Sequence, residues 1–274
     1  MADKGPLTTS ISEVHADRIE VRGLDLCSDL IGKMNFTEYF LLLLTGGRPS
    51  PDLVALTDAC LVAIAEHALV PSVVAARMTL AAAPEAFQGA MAAGLLGCGS
   101  VILGASEVAG RLLMEVAADA DTGGDLDAAA IRALQRLKSS GATVPGFGHP
   151  VHRAGDPRAV TLVQIAKARG TAGRHVAALE AVERHLAEVW GRALPTNVSA
   201  VIPAVLLDAG YPAAALKGVP LLARCAGLIA HLREEGERHL GFRLGAIAEH
   251  AVTYEAVSTT PIGAAPTGAS KHAP

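Results

Sequence analysis

The sequence predicts a mostly α-helical protein, on three observations. From Ser50 onward, apolar residues recur at helical spacing. Helix-start signals stand at Ser50-Pro51-Asp52 and at Asp125. Alanine is abundant in these runs, while Phe, Tyr and Trp together make up only 3% of the chain, so the core is built from small side chains that let helix axes approach closely.

Near the N-terminus, Arg18-Ile-Glu-Val-Arg22 alternates as a strand does and allows a small hairpin. Ser50-Pro51-Asp52 combines a hydroxyl cap, a proline at the first helical position and an acid facing the helix dipole. The helix it starts runs through Leu53, Leu61 and Ile64 and stops before Pro71. Helices follow at about 72–83, 85–103 and 106–119, and Asp125 caps another that ends near Lys138. Arg174 to Trp190 is the clearest amphipathic helix, with Val176, Leu179, Val182, Leu186 and Val189 in one stripe and Glu180, Glu183, Arg184 and Glu188 off it. Two more cover about 198–209 and 213–235. The tail, 258–274, is small, polar and rich in Pro and Gly, and is expected to be mobile.

With 274 residues, 51% of them hydrophobic, the chain can bury a substantial core, which excludes a disordered protein. Its 23 Lys+Arg against 27 Asp+Glu give a net charge of −4 without a basic block, which argues against nucleic acid as a partner. Cys27, Cys60, Cys98 and Cys225 lie far apart and form no CxxC pair. The start lacks the basic-then-apolar pattern of a signal peptide, so a reducing cytoplasm is expected. Ala86 to Ser106 carries no charge and is long enough to span a bilayer, but it holds five glycines and no aromatic belt. It reads as a buried helix, with no membrane partner.

One long interruption, Ser139 to Arg158, breaks the helical pattern, and loops of this length inside a compact domain are usually functional. It gathers His149, His152, Arg153 and Arg158 beside Gly146 and Gly148, which let backbone approach a ligand. The arginines suit an anion, since guanidinium forks grip carboxylates and phosphates; the alternative is a surface loop with incidental basic residues. His149-x-x-His152 lacks a third ligand at metal spacing and Pro150 disfavours a helix, so no metal is expected. The chain has no P-loop, dinucleotide fingerprint or nucleophile elbow. His67 is placed in the last turn of the Ser50-capped helix, where the dipole favours a protonated ring suited to a carboxylate or carbonyl.

Val144-Pro-Gly146-Phe-Gly148-His149-Pro-Val-His-Arg153-Ala-Gly-Asp-Pro-Arg158 resembles the G-[FY]-G-H-x-V-x-[RK]-x-x-D-P-R loop of the citrate synthase superfamily. Arg22-Gly-Leu-Asp-Leu, Ala65-Glu66-His67, Gly104-Ala-Ser-Glu107, Asn197-Val198 and Arg224-Cys-Ala-Gly-Leu-Ile-Ala-His231 resemble other family stretches in the family's order. The short chain and Gly241-Phe-Arg243 are more similar to citryl-CoA lyases, such as the lyase module of ATP-citrate lyase. The resemblance implies a citrate synthase-like helical fold: a homodimer with a large domain (1–103 and 210–274) and a small domain (104–209) that closes over substrate. It also implies that His149 hydrogen-bonds the oxaloacetate carbonyl or citryl hydroxyl. Arg158 and Arg224, with Arg243 as a further candidate, hold carboxylates, and His67 helps bind the same group. Arg153, beside Gly146 and Gly148, faces coenzyme A. No tightly bound cofactor is implied; the CoA thioester is substrate.

Two positions depart from the family. Ile102 stands where synthases use a histidine to stabilise the acetyl-CoA enolate, and Ser199 where they use the aspartate that moves the α-proton. Loss of such an oxyanion donor typically costs about 3–4 kcal/mol, and serine is a poor base without a partner. The lyase branch also lacks that histidine. The resemblance therefore favours cleavage of citryl-CoA, or a close hydroxyacyl-CoA, to oxaloacetate and acetyl-CoA. The alternatives are condensation or cleavage with a different acyl-CoA, and a non-catalytic CoA- or dicarboxylate-binding homologue.

Overall fold

A computed structural model describes residues 7–99, 103–148 and 155–256. Its N-terminal segment forms a three-stranded antiparallel sheet in sequential order, β1 (Ser12–Val14), β2 (Ile19–Val21) and β3 (Leu24–Asp25). Ser12 pairs with Val21 and Val14 with Ile19, while Val21 also pairs with Leu24. The hairpin allowed by the sequence gains a third strand because Arg22 (φ 52°) and Gly23 (φ 77°) turn the chain back. Arg22 then ties this sheet to α1 (Phe36–Thr45), its Nε donating to the Leu43 carbonyl at 3.0 Å and its Nη1 to Ser10 Oγ at 2.8 Å.

The Ser50 start is as expected. Its Oγ accepts from the Leu53 N–H at 3.2 Å, with Pro51 at the first position of α2 (Pro51–Ala65). The end of α2 corrects the sequence reading, because Glu66 is already extended and His67 lies just beyond the helix rather than in its last turn. Glu66 uses a side-chain oxygen to accept from the Ala68 N–H, which closes a local turn in place of another helical one.

Helices α3 (Pro71–Ala82), α5 (Ala105–Gly123), α6 (Leu126–Ser139), α8 (Arg174–Trp190) and α9 (Val198–Asp208) fall close to where periodicity places them. Two spans differ. α4 covers Phe87–Leu96 rather than 85–103, because Ala86 N–H closes a turn onto the Ala83 carbonyl at 3.0 Å and Gly97 caps the other end. The expected helix over 213–235 is a 3₁₀ turn, Ala213–Ala215, followed by α10 (Gly218–Glu237). A continuous helix would need a Pro220 N–H to reach the Leu216 carbonyl, and proline has none. Periodicity did not single out α7 (Pro157–Ala168) or α11 (Gly241–Ala251). The 258–274 tail lies outside the described residues.

Helices α5, α6, α7, α8 and α9 pack among themselves; α3, α4, α10 and α11 form another group, and α2 touches α10 as well as α7 and α9. Ala129, Ala130, Ala133, Ala178, Ala181, Ala200 and Ala204 are all buried, as expected of closely approaching, alanine-lined helices. α9 is almost wholly buried and carries Pro203 within its length. Among the described residues, the stretch Ala213–Glu237 is long and apolar enough to cross a membrane by composition, but it packs on α2, α3 and α4 and buries Arg224 and Glu235. Cys60 is buried in the main core, and that burial pushes its thiol pKa well up, so its thiolate is not available near neutral pH.

At the end of α9 farther from its Val198 start, the buried Asp208 caps α8. Its carboxylate accepts from Gly173 N–H at 2.7 Å, His175 N–H at 2.9 Å, Val176 N–H at 3.0 Å and His175 Nδ1 at 2.8 Å. Burial works against its ionisation, but the His175 ring and the three amides outweigh it and hold the Asp208 pKa below the usual value. A depressed folded pKa contributes stability above the unfolded value, about 3.9, that is lost as pH falls through the lower folded value. Asp208→Ala is expected to destabilise the fold by about 2–4 kcal/mol at neutral pH. In urea melts, the gap from the parent protein should shrink below about pH 4; a gap independent of pH would contradict this account.

Candidate active site

A cleft of about 360 Å³ opens where α2, α5, α7, α9 and α10 converge. Its walls include His67, Gly148, Arg158, Ser199 and Arg224, drawn from four separate stretches of chain, with Ile64, Leu103 and Ile202 as apolar surface.

The wall carried by α9 is built by the loop that precedes α7. Phe147 pairs with Thr196 in an antiparallel bridge. Asn197 N–H donates to the Gly146 carbonyl at 2.9 Å, Gly148 N–H to the Pro195 carbonyl at 2.7 Å, and Asn197 Nδ2 to the Gly148 carbonyl at 2.7 Å. Gly146 (φ 82°) lies so close to α9 that a Cβ would stand 2.4 Å from Ala200 Cβ and 2.7 Å from its N and Cα. The close approach foreseen for Gly146 is thus to this helix, whereas Gly148 is the glycine that lines the cleft.

Asp156, 1% exposed, completes the wall. It caps α7 and grips Arg158 with both oxygens, Nε to Oδ1 at 3.0 Å and Nη2 to Oδ2 at 2.9 Å, while Oδ2 also accepts the Val198 N–H at 3.0 Å. Burial opposes its ionisation, but the Arg158 hydrogen bond and charge, with the Val198 amide, keep its pKa below the usual carboxylate value. The Nε/Nη2 edge of the Arg158 fork is therefore occupied, and the side chain is oriented before any ligand arrives.

The opposite wall is one face of α10. Arg224 is 2% exposed, and its Nε and Nη1 are buried without a hydrogen-bond partner among the described residues. A buried cation left without an anion is costly, and structures keep one where a ligand supplies the missing charge. Three residues on, Gly227 brings α10 against the end of α2, where a Cβ would sit 2.0 Å from the Ala65 carbonyl oxygen. That contact sets His67, exposed and next to Ala68 (φ 56°), at the rim of the same cleft. The left-handed region costs an ordinary residue about 1–2 kcal/mol, so Ala68 is held there by its surroundings.

Of the residues singled out from the sequence, His67, Gly148, Arg158, Ser199 and Arg224 come together. Arg243 does not line the cleft; it is exposed on α11 beside the exposed Phe242. His149, His152, Arg153 and Ile102 lie outside the described residues. Sequence reasoning missed the bridging roles of Asp156 and Asn197. Asp156-Pro157 repeats the cap-then-proline signal recognised at Ser50-Pro51 and could have marked α7. Glu13, His15 and Glu20 bring ligand atoms within 4.8 Å of one another, but on the N-terminal hairpin, where Arg18 already donates to Glu20 at 2.8 Å.

The description "Citrate synthase, C-terminal domain" matches residues 7–243. The chain belongs to the citrate synthase family. It is 28% identical over 204 residues to the citrate synthase of Acidithiobacillus ferridurans, covering 72% of this chain and 50% of that protein. It is 32% identical over 199 residues to the putative citrate synthase 2 of Mycobacterium tuberculosis, covering 69% and 49%. The chain thus spans about half the length of the curated relatives it matches. Among solved structures, it resembles citryl-CoA lyase from Hydrogenobacter thermophilus with a TM-score of 0.81 and 26% identity, over 93% of this chain and 96% of that one. The fold also matches ATP citrate lyase from Methanothrix soehngenii, in complex with citrate and coenzyme A, with a TM-score of 0.75 and 20% identity over 94% of this chain and 43% of that one.

Gly146→Ala combines a clash with α9 and a left-handed backbone, so it should cost about 2–4 kcal/mol in denaturant melts. Adding Ala200→Gly should restore only a minor part, because the Ala200 backbone N and Cα remain 2.7 Å from the new Cβ. Full restoration would show that the backbone contact is unimportant.

Proposed function

We propose that the cleft binds a keto-dicarboxylate next to a CoA thioester, and that the protein is a carbon–carbon lyase cleaving citryl-CoA to oxaloacetate and acetyl-CoA. The observation that carries this reading is the buried Arg224 guanidinium, whose Nε and Nη1 have no hydrogen-bond partner among the described residues, in the same cleft as Arg158 and His67. Two arginines on facing walls suit two carboxylates of one small ligand. The likeness to citryl-CoA lyase over nearly the whole of both chains favours cleavage over condensation.

In this mechanism His149 takes the proton of the citryl hydroxyl. The oxygen's electrons form the keto group of oxaloacetate, and the bond to the acetyl carbon breaks. Its electron pair passes to the thioester as an enolate, which a proton from solvent converts to acetyl-CoA. Arg224 and Arg158 hold the carboxylates while the hydroxyl carbon becomes planar, and His67 contacts the same group. Arg153 faces the phosphates of coenzyme A, which is substrate rather than resident cofactor. Ser199, at the positive end of α9, supplies a hydroxyl where a synthase has its acid–base carboxylate. The protein acts as a homodimer whose 104–209 segment closes over the remainder.

Purified protein should release oxaloacetate from citryl-CoA, read through coupled NADH oxidation by malate dehydrogenase, and His149→Ala should lower the rate by about 10²–10⁴. No release from a folded protein that still binds coenzyme A would reject the lyase, and retained activity in His149→Ala would reject the mechanism.

Arg224→Met should weaken oxaloacetate binding by about 100-fold or more in calorimetry. Without ligand, the variant should melt no lower than the parent, because the substitution removes a buried charge with two nitrogens unmet among the described residues. A large loss of ligand-free stability would mean that Arg224 is structurally paired.

A further inference from the structure

Between the cleft and the helix group of α3, α4, α10 and α11 runs a chain of polar groups that neither the family loop nor the proposed chemistry uses. Arg77 is fully buried on α3. Its Nη1 donates to Glu235 Oε2 at 2.9 Å, its Nη2 to Glu234, and its Nε and Nη2 reach His231 Nδ1 at 3.2 and 3.1 Å. Arg77 can only donate, so His231 Nδ1 accepts and the ring proton sits on Nε2. Nε2 then donates to Glu66 Oε2 at 2.9 Å. The other oxygen of Glu66, Oε1, accepts from the Ala68 N–H. Glu66 and Ala68 flank His67, and Arg224 and His231, seven residues apart, share one face of α10.

We propose that Glu66 is a positioning residue for His67. One of its oxygens holds Ala68 in the left-handed turn that presents the His67 ring to the cleft. The other moors that turn to His231, on the same helix face as Arg224. The distance between the His67 ring and the Arg224 guanidinium is thereby fixed by a clamp anchored on the buried Arg77–Glu235 pair. The inference deepens the proposed oxaloacetate-binding role of His67 and rests on that reading for its functional readout.

The two halves of the clamp separate by substitution. Glu66→Ala removes both bonds, leaving the Ala68 N–H without its side-chain acceptor, while the Val70 N–H still donates to the Ala68 carbonyl at 2.9 Å. Ala68→Gly removes the steric objection to that turn, since glycine adopts it freely. Glu66→Gln keeps an oxygen for the Ala68 N–H, but its amide N–H₂ meets the His231 Nε2–H donor, so the mooring to α10 is lost. Two readouts are compared in the full-length protein: the oxaloacetate Kd by calorimetry, and the His67 ring Cε1–H NMR signal, assigned by its disappearance in His67→Asn. Glu66→Ala should weaken oxaloacetate about tenfold, equivalent to about 1.4 kcal/mol, and shift the His67 signal. Glu66→Ala combined with Ala68→Gly should recover part of both, and Glu66→Gln should fall between parent and Glu66→Ala.

An unmoved His67 signal in Glu66→Ala overturns the clamp, as does a loss that Ala68→Gly leaves wholly unrescued. A His67 signal that moves and recovers as described, in a parent protein that binds no oxaloacetate, supports the clamp and rejects the proposed ligand instead.

Discussion

The carboxylate of Asp156 ties three parts of the molecule to one point. It caps α7, grips the guanidinium of Arg158 and accepts the first amide of α9, all from a position almost closed to solvent. Without it, the Arg158 fork would be free to rotate, the start of α9 would keep an unmet buried donor, and the loop carrying Gly146 and Gly148 would lose its far anchor. The cleft wall is therefore a product of one charged hydrogen-bond cluster, and the apolar core behind it supplies rigidity rather than shape.

Across the cleft the logic is reversed. Arg158 is satisfied before a ligand arrives, whereas Arg224 is buried with two of its nitrogens unmet. A paired arginine holds its geometry at little cost to the resting fold, and an unpaired one stores unfavourable desolvation that an arriving anion relieves. The two together give orientation from one side and driving force from the other. Gly227 seats α10, and Arg224 with it, against the end of α2, because any side chain there would push the two helices apart.

Much of this was legible in the sequence. The helical class follows from spacing and alanine content, and the Ser50 and Asp125 starts follow from local capping chemistry. Arg158 and His67 stood out from loop and helix-end chemistry, and Arg224 from resemblance to a family to which the chain belongs. What local patterns could not supply were long-range geometric facts. The Arg77–His231 contact joins positions 154 residues apart, and neither spacing nor propensity encodes it. The end of α2 was placed too late because Pro71 sets only an outer limit, and the Glu66 side chain stops the helix earlier. α7 starts in the last two residues of what read as one long functional loop and went unrecognised beyond it, although Asp156-Pro157 carries the same start signal as Ser50-Pro51.

Pro203 gives α9 an unusual start. A helix ordinarily opens with amides that lack acceptors and carbonyls that are already engaged. Here the residue four positions after Ser199 has no N–H to give, so the Ser199 carbonyl is released from the helical ladder at the wall of the cleft, while the Val198 and Ser199 amides are taken up by Asp156 and Asn197. The first turn therefore keeps one carbonyl outside the i→i−4 ladder, next to amides that are already met. The Val198 and Ser199 amides thus have no hydrogen left for a ligand, and recognition of an anion in this cleft falls to the arginine side chains rather than to the helix start.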